Sequence, residues 1–406
     1  MQASTRSARL LADRDFRILF SAYGLSCAGD ALALVALTIR AHDLTGSGWA
    51  VSAILISAVA PVVLLASLAG RLIDGRETVG VVRAVSLVEV VVAVALAFSS
   101  SVAQLVPLAL LLAAGAAITQ PGLFALTPEV VGDSRLAAGN GAVEFARWGG
   151  GVAGPLLAGL LAAGGGTRVA LLADAVTFLV MGLSIGALHT RREPSEAETA
   201  AGTRAGDRSG LAILRRDPAL RLVVGVLVTM VLAASMVDVA EVFFVKGVLH
   251  AGDAGYGALM AAWGGGVALG VTVLARRLED ANLVPAVLGA AMVVNVVYLV
   301  AAGASVLVVV TVAFFAGGIA NGVGLVAVKT LLHRRSPDDK RGRVFAAYGA
   351  MITGAQLLAF GVGGAVTSLI GARATLLAAS GCGLAVVLVG VVAYLHAAPH
   401  RLASAA

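Results

Sequence analysis

Glu144-Phe-Ala-Arg147-Trp-Gly149-Gly150-Gly151-Val-Ala-Gly154-Pro155-Leu-Leu-Ala158-Gly159-Leu-Leu-Ala-Ala-Gly164-Gly165-Gly166 is apolar enough to cross a bilayer, yet it holds a Gly-Pro step. In water such a helix is poor, because glycine costs about 1 kcal/mol relative to alanine and an interior proline about 3 kcal/mol. In a membrane the same residues are useful. Gly150, Gly154, Ala158 and Gly159 let a neighbouring backbone approach closely, and Pro155 is tolerated where the carbonyl it frees finds a partner inside a bundle.

Working outward, the 406 residues are 59% apolar and only 13% charged, with a mean hydropathy of +0.96. That excludes an ordinary soluble domain and predicts an all-α polytopic membrane protein. A span needs about 20 apolar residues. Twelve are read, near 17–40, 47–70, 79–100, 102–126, 136–163, 168–189, 219–246, 254–275, 283–302, 304–329, 343–369 and 371–396. Met1 to Arg17 is polar and basic and the first apolar run is a full span, so no cleavable signal peptide is expected. Cys27 and Cys382 lie in the first and last spans and read as packing residues. The net charge of +6 does not indicate nucleic acid, because the basic residues fall in short loops with no aromatic-basic patch.

An even number of spans puts both ends on one side. Arg6, Arg9, Arg14, Arg17, Arg71, Arg76, Arg83, Arg135, Arg191, Arg192, Arg204, Arg208 and most later basic residues share that side; opposite lie Arg40, Arg168, Lys246 and Arg373. By the positive-inside rule both termini are expected in the cytoplasm, in a bacterial inner membrane. The long polar stretch from Thr190 to Asp217 divides the spans into two sixes: an N-terminal bundle over 1–189, a linker over 190–217 and a C-terminal bundle over 218–406. The halves repeat. Arg71 and Asp74 align with Arg277 and Asp280, and Arg135 with Arg341, at an offset of 206, whereas Arg14-Asp15 and Arg216-Asp217 align at 202. Two parallel pseudo-symmetric six-helix repeats are thus expected.

The run Gly150-x-x-x-Gly154-Pro155-x-x-Ala158-Gly159 resembles the helix 5 signature of drug:proton antiporters of the major facilitator superfamily, with Ala158 where that family usually has Gly. Arg14-Asp-Phe-Arg17, Gly29-Asp30, Asp43-Leu-Thr-Gly-Ser47 and Arg341-Gly-Arg-Val-Phe345 are similar to the macrolide-efflux and enterobactin-type siderophore-exporter branch. The resemblance covers most of the chain. It implies a twelve-helix secondary transporter working by alternating access, proton-coupled, exporting an apolar or cationic small molecule. Two departures stand out. The loop signature after span 2 keeps Gly70 and Asp74, with Arg76 displaced by one, so the cytoplasmic latch it implies is weakened; and Thr119, Gln120 and Pro121 occupy the region of span 4 where the family carries Arg.

Charges inside a membrane cost about 2.5 to 3.5 kcal/mol each on insertion scales and require a reason. Asp30 lies about 13 residues into span 1, close to the midplane at 1.5 Å per residue. Desolvation disfavours its charged form, the basis for expecting proton exchange there; a purely structural hydrogen-bonded Asp is the other reading. Asp238 and Glu241 sit at a corresponding depth in span 7, three residues apart on one face, where two carboxyls can share a proton; Glu241 could instead pair with Lys246 at the rim. Glu144 and Arg147 read as an internal ion pair, with Arg147 reaching Asp30 as the alternative. Glu89, Asp174 and Lys329 read as structural or snorkelling residues.

The six His are scattered, and no metal cluster, nucleophile–base pair or Walker loop is found, so neither an enzyme nor ATP-driven transport is expected. No cofactor or metal is implied. The expected partners are a small-molecule substrate, protons and the lipid bilayer, with no nucleic acid, and the chain is expected to act as a monomer. A non-transporting receptor or scaffold on the same fold, or a uniporter or importer of another metabolite, is the alternative.

Overall fold

The computed structural model describes residues 10, 12–132, 135–192, 209–279 and 282–403. Among them there is no strand. The helices are α1 (Arg14–Thr45), α2 (Gly48–Leu64), α3 (Ala66–Asp74), α4 (Thr78–Phe98), α5 (Val102–Val131), α6 (Leu136–Gly165), α7 (Thr167–Gly186), α8 (Ser209–Arg216), α9 (Pro218–Phe243), α10 (Gly252–Thr272), α11 (Leu283–Gly303), α12 (Leu307–Arg335), α13 (Arg341–Ile370) and α14 (Ala372–Ala403). Ten are long and apolar enough to cross a membrane. A bent pair, α2 and α3, makes an eleventh span; the 52° break follows Pro61, whose missing N–H interrupts the last turn of α2. The glycine-rich α6 is 30 residues long but falls short of that apolarity, and counting it on its length brings the number to twelve. The protein is all-α and polytopic, with twelve transmembrane helices in two six-helix bundles.

The chain divides into two compact units: Met1–Gly46, Ala53–Gly202 and Gly252–Ala261; and Ser47–Ser52, Thr203–Ala251 and Ala262–Ala406. In the first, Asp13 caps α1 by accepting from the N–H groups of Asp15 and Phe16. Asp15 accepts from the N–H groups of His189 and Thr190 and from the Thr190 hydroxyl, fastening the start of α1 to the end of α7. Asp74 pairs with Arg192 at 3.3 Å. At the opposite end Arg40 donates to Ser99 O and Thr167, and Arg168 stacks over Phe98 at 3.8 Å. These arginines on the sparsely basic side therefore hold loops and helix ends together.

In the second unit Asp217 caps α9, with Pro218 in the first helical turn, and pairs with Arg335 at 3.1 Å. Burial raises the Asp217 pKa, but hydrogen bonds from the Leu220 N–H, the Arg335 side chain and the Ala219 N–H prevail and hold it below the ordinary value. Asp217 plays the part of Asp13, not of Asp15. The repeat is therefore in register at an offset of 204 here, a correction of two residues to the 202 read from the Arg-Asp pairs. Arg373 donates to Ala304 O at 3.0 Å. Arg6, Arg9, Arg204, Arg208, Asp280 and most of the linker, 193–208, lie outside the described residues.

Candidate functional site

The first unit is built on a seam between α1 and α6. A Cβ on Gly150 would sit 2.6 Å from Gly24 O, and one on Gly154 would overlap Ala28 O, so only glycine lets α6 come this close to the helix bearing Asp30. Ala158 is fully buried, and Gly159 faces Gly257 at the start of α10, where a Cβ would lie 2.8 Å from the Gly257 Cα. Gly149 and Gly151 meet nothing within 4 Å. The motif thus has one packed face and one open face.

Asp30 is half-buried. Its Oδ2 accepts from Nε2 of Gln120 on α5 at 2.9 Å, and the same amide reaches the Ser26 hydroxyl at 3.2 Å and the Cys27 sulfur at 3.7 Å. Among the described residues Asp30 forms no salt bridge. Arg147 does not reach it: both its Nε and Nη2 donate to Glu144, at 3.1 and 2.9 Å, and its guanidinium lies 4.7 Å from the Trp148 ring centre. With side chains 42% and 54% exposed, this is an open i,i+3 pair. The neutral Gln120 is Asp30's partner. The sequence had marked its position only as lacking an Arg.

Glu89 on α4 and Asp174 on α7, read from the sequence as structural or snorkelling residues, are both turned inward. They are 1% and 0% exposed, and both feel the charge of Asp30. The Glu89 carboxyl presses on Gly115 of α5, and Asp174 packs against Gly29 with the Thr177 hydroxyl 3.2 Å from its Oδ1. Neither Glu89 oxygen, nor Oδ2 of Asp174, has a hydrogen-bond partner among the described residues. An unpartnered buried carboxylate is expensive, so orphaned acids beside Asp30 are a functional signal.

In the second unit Asp238 is half-buried and accepts from the Ser235 hydroxyl; Glu241, one turn on, is buried. Both act electrostatically on Tyr298 of α11. Asp238 opens on a cavity of about 340 Å³ formed by α9 to α13. Trp263 of α10 stacks on Tyr298 at 5.8 Å, with an interplanar angle of 13°, and Phe314 of α12 closes the cluster at 5.9 and 5.6 Å from the two rings. A second glycine seam brings α12 against α10: a Cβ on Gly318 or Gly322 would overlap the Trp263 or Val267 carbonyl, and Gly266 and Gly270 face back in the same way. Both pairs have GxxxG spacing, but the sequence reading singled out neither.

Gly70 is open, and Asp74 is bound within its own unit by Arg192; Arg76 is exposed and lines a surface depression with Glu77 and Gly80. No group of three or more His, Cys, Asp or Glu that could hold a metal occurs among the described residues.

No curated protein matches the chain. Among solved structures it is similar to the nucleoside transporter NupG (12% identity, TM-score 0.75, covering 94% of this chain and 99% of that one). It is also similar to the POT family transporter PepTSo (12%, 0.72, 96% and 99%) and to a bacterial homologue of the iron transporter ferroportin (16%, 0.70, 94% and 98%). At these identities the likeness shows the fold. Residues 19–317 match the family described as Major Facilitator Superfamily, and with most of the chain inside that match, it belongs to this superfamily.

Proposed function

We propose that the protein is a secondary active transporter that exports an apolar or cationic small molecule in exchange for protons, by alternating access. Transport supports this reading as the common theme of its structural neighbours, which include a nucleoside transporter, a POT family transporter and a homologue of an iron transporter. The observation that carries proton coupling is Asp30, held by a neutral amide instead of a cation. A counter-ion such as Arg would pin Asp30 in its charged form. Gln120 serves either form, donating through Nε2 to the carboxylate or, after a flip, accepting through Oε1 from the acid. Buried Glu89 and Asp174, with oxygens that find no hydrogen-bond partner among the described residues, place two further acids in the same unit as Asp30. With Asp30 charged a cation binds; with Asp30 neutral it leaves, and mutual exclusion couples the fluxes.

On this reading the chain works as a monomer in the bacterial inner membrane, with bundles 1–189 and 218–406 moving about the linker 190–217 and both termini in the cytoplasm. Protein in liposomes should accumulate a labelled organic cation against an imposed proton gradient; flux unchanged when the gradient is collapsed replaces antiport with uniport. In a Cys27→Ser/Cys382→Ser background, Ser47→Cys should label from outside and Ser195→Cys from inside. The same sidedness for both sinks the topology.

A further inference from the structure

We infer that the cavity of the second unit is a binding site for a monovalent organic cation carrying an aromatic group, with Asp238 as the counter-ion and Trp263 and Tyr348 as its aromatic walls. The inference rests on the transporter reading above and deepens it by assigning a substrate class to one cavity.

Three features of the lining support it. Asp238 is its sole acidic residue, and none of the lining residues is Lys, Arg or His, so the local field favours a positive guest. Trp263, Tyr298 and Tyr348 supply ring faces, and the stacking of Trp263 on Tyr298 fixes one such wall in place before anything binds. Ring faces attract cations by about 0.5 to 2 kcal/mol, more when water is excluded, and strong hydration is what a bare ammonium loses on entry. A quaternary ammonium gives up far less hydration and gains the same attraction. Asn321 and Gln356 add two amides that can orient a polar edge of the guest, and the remaining wall is almost wholly aliphatic, suited to its body. A volume of about 340 Å³ lies at the lower end of ordinary small-molecule sites, which selects a compact guest with one ring over an extended one.

The geometry also separates this site from an anion or peptide site. An anionic guest would meet the Asp238 carboxylate with no basic residue to offset it. Ser235, one turn before Asp238 on α9, lines the cavity beside it and is neutral, so it supplies no competing positive charge.

The test is equilibrium binding of radiolabelled benzyltrimethylammonium to the purified full-length protein in detergent, without a proton gradient. Benzyl alcohol and benzenesulfonate serve as neutral and anionic competitors. Saturable binding is expected that neither competitor displaces. Asp238→Asn should raise Kd by more than about tenfold, and Trp263→Leu by about tenfold. Asp238→Glu, which keeps the charge, should hold Kd within about threefold of wild type, and it separates loss of charge from loss of fold. Absence of saturable binding to wild type, equal competition by benzenesulfonate, or wild-type affinity in both Asp238→Asn and Trp263→Leu overturns the site. Failure of the two readings is distinguishable: binding without gradient-driven flux removes proton coupling and keeps the site, whereas gradient-driven flux without binding does the reverse.

Discussion

The two units carry the same kind of accessible acid in different surroundings. Asp30 and Asp238 are both half-buried, and each is held by a neutral group, Gln120 or Ser235, that can serve a carboxylate or its acid. Behind Asp30 stand two orphaned acids from two other helices, Glu89 and Asp174; behind Asp238 stands one buried acid, Glu241, on its own helix, which is not orphaned in that way. Only Asp238, of these two accessible acids, lines the aromatic cavity described above. On the function proposed above, this difference divides the labour, with proton exchange assigned to Asp30 and the substrate's charge to Asp238.

The sharpest way to break that division is to neutralise each acid in turn. Asp30→Asn should reduce gradient-driven transport to the level of empty liposomes while the protein still inserts. Asp238→Asn should keep its dependence on the gradient and raise KM by about tenfold, as expected for a lost binding contact. The reverse pattern in flux measured against pH and substrate would exchange the two roles.

A second comparison concerns the glycine seams, α1 with α6 in one unit and α10 with α12 in the other. Gly154→Ala and Gly318→Ala each drive a methyl into a carbonyl and should destabilise by about 1 to 3 kcal/mol, as overpacking does. Gly149→Ala meets nothing within 4 Å and should hold or raise the melting temperature. Equal melting temperatures for all three would show that the seams are looser than the geometry requires.

The helix caps at the basic end offer a smaller contrast. Asp217→Asn keeps a capping oxygen but loses the pair with Arg335, and should cost about 1 kcal/mol or less at neutral pH. The folded pKa of Asp217 is depressed, so its contribution is present above the unfolded value near 3.8 and is lost as pH falls through the folded value. The difference in melting temperature between wild type and Asp217→Asn should therefore close below that pH. A gap that persisted there would mean that Asp217 acts through shape alone.

Smallest of all should be Glu144→Gln. Both partners of the Glu144–Arg147 pair are more than a third exposed, and such pairs are worth about 0 to 1 kcal/mol. A large loss of transport in Glu144→Gln would bring the pair back into the mechanism, against its present separation from Asp30.

The sequence by itself determined the number and approximate limits of the spans, because apolar length is a local property that a bilayer reads directly. Span 5 at 136–163 became α6 at Leu136–Gly165, and span 9 at 283–302 became α11 at Leu283–Gly303. It also marked Asp30 and Asp238, since an acid deep in an apolar run is visible without any knowledge of its neighbours. Which side chains meet was decided only in three dimensions, because a contact between helices depends on the rotation of each helix about its axis. Glu89 and Asp174 read as structural or snorkelling residues along the chain, and in three dimensions both are buried with orphaned oxygens. Arg147 could have bonded Asp30 or Glu144; it shares a face of α6 with Gly150 and Gly154, yet both its donors go to Glu144 one turn back. Gln120 carried no charge to draw attention, yet the approach of α5 to α1 made its amide the partner of Asp30.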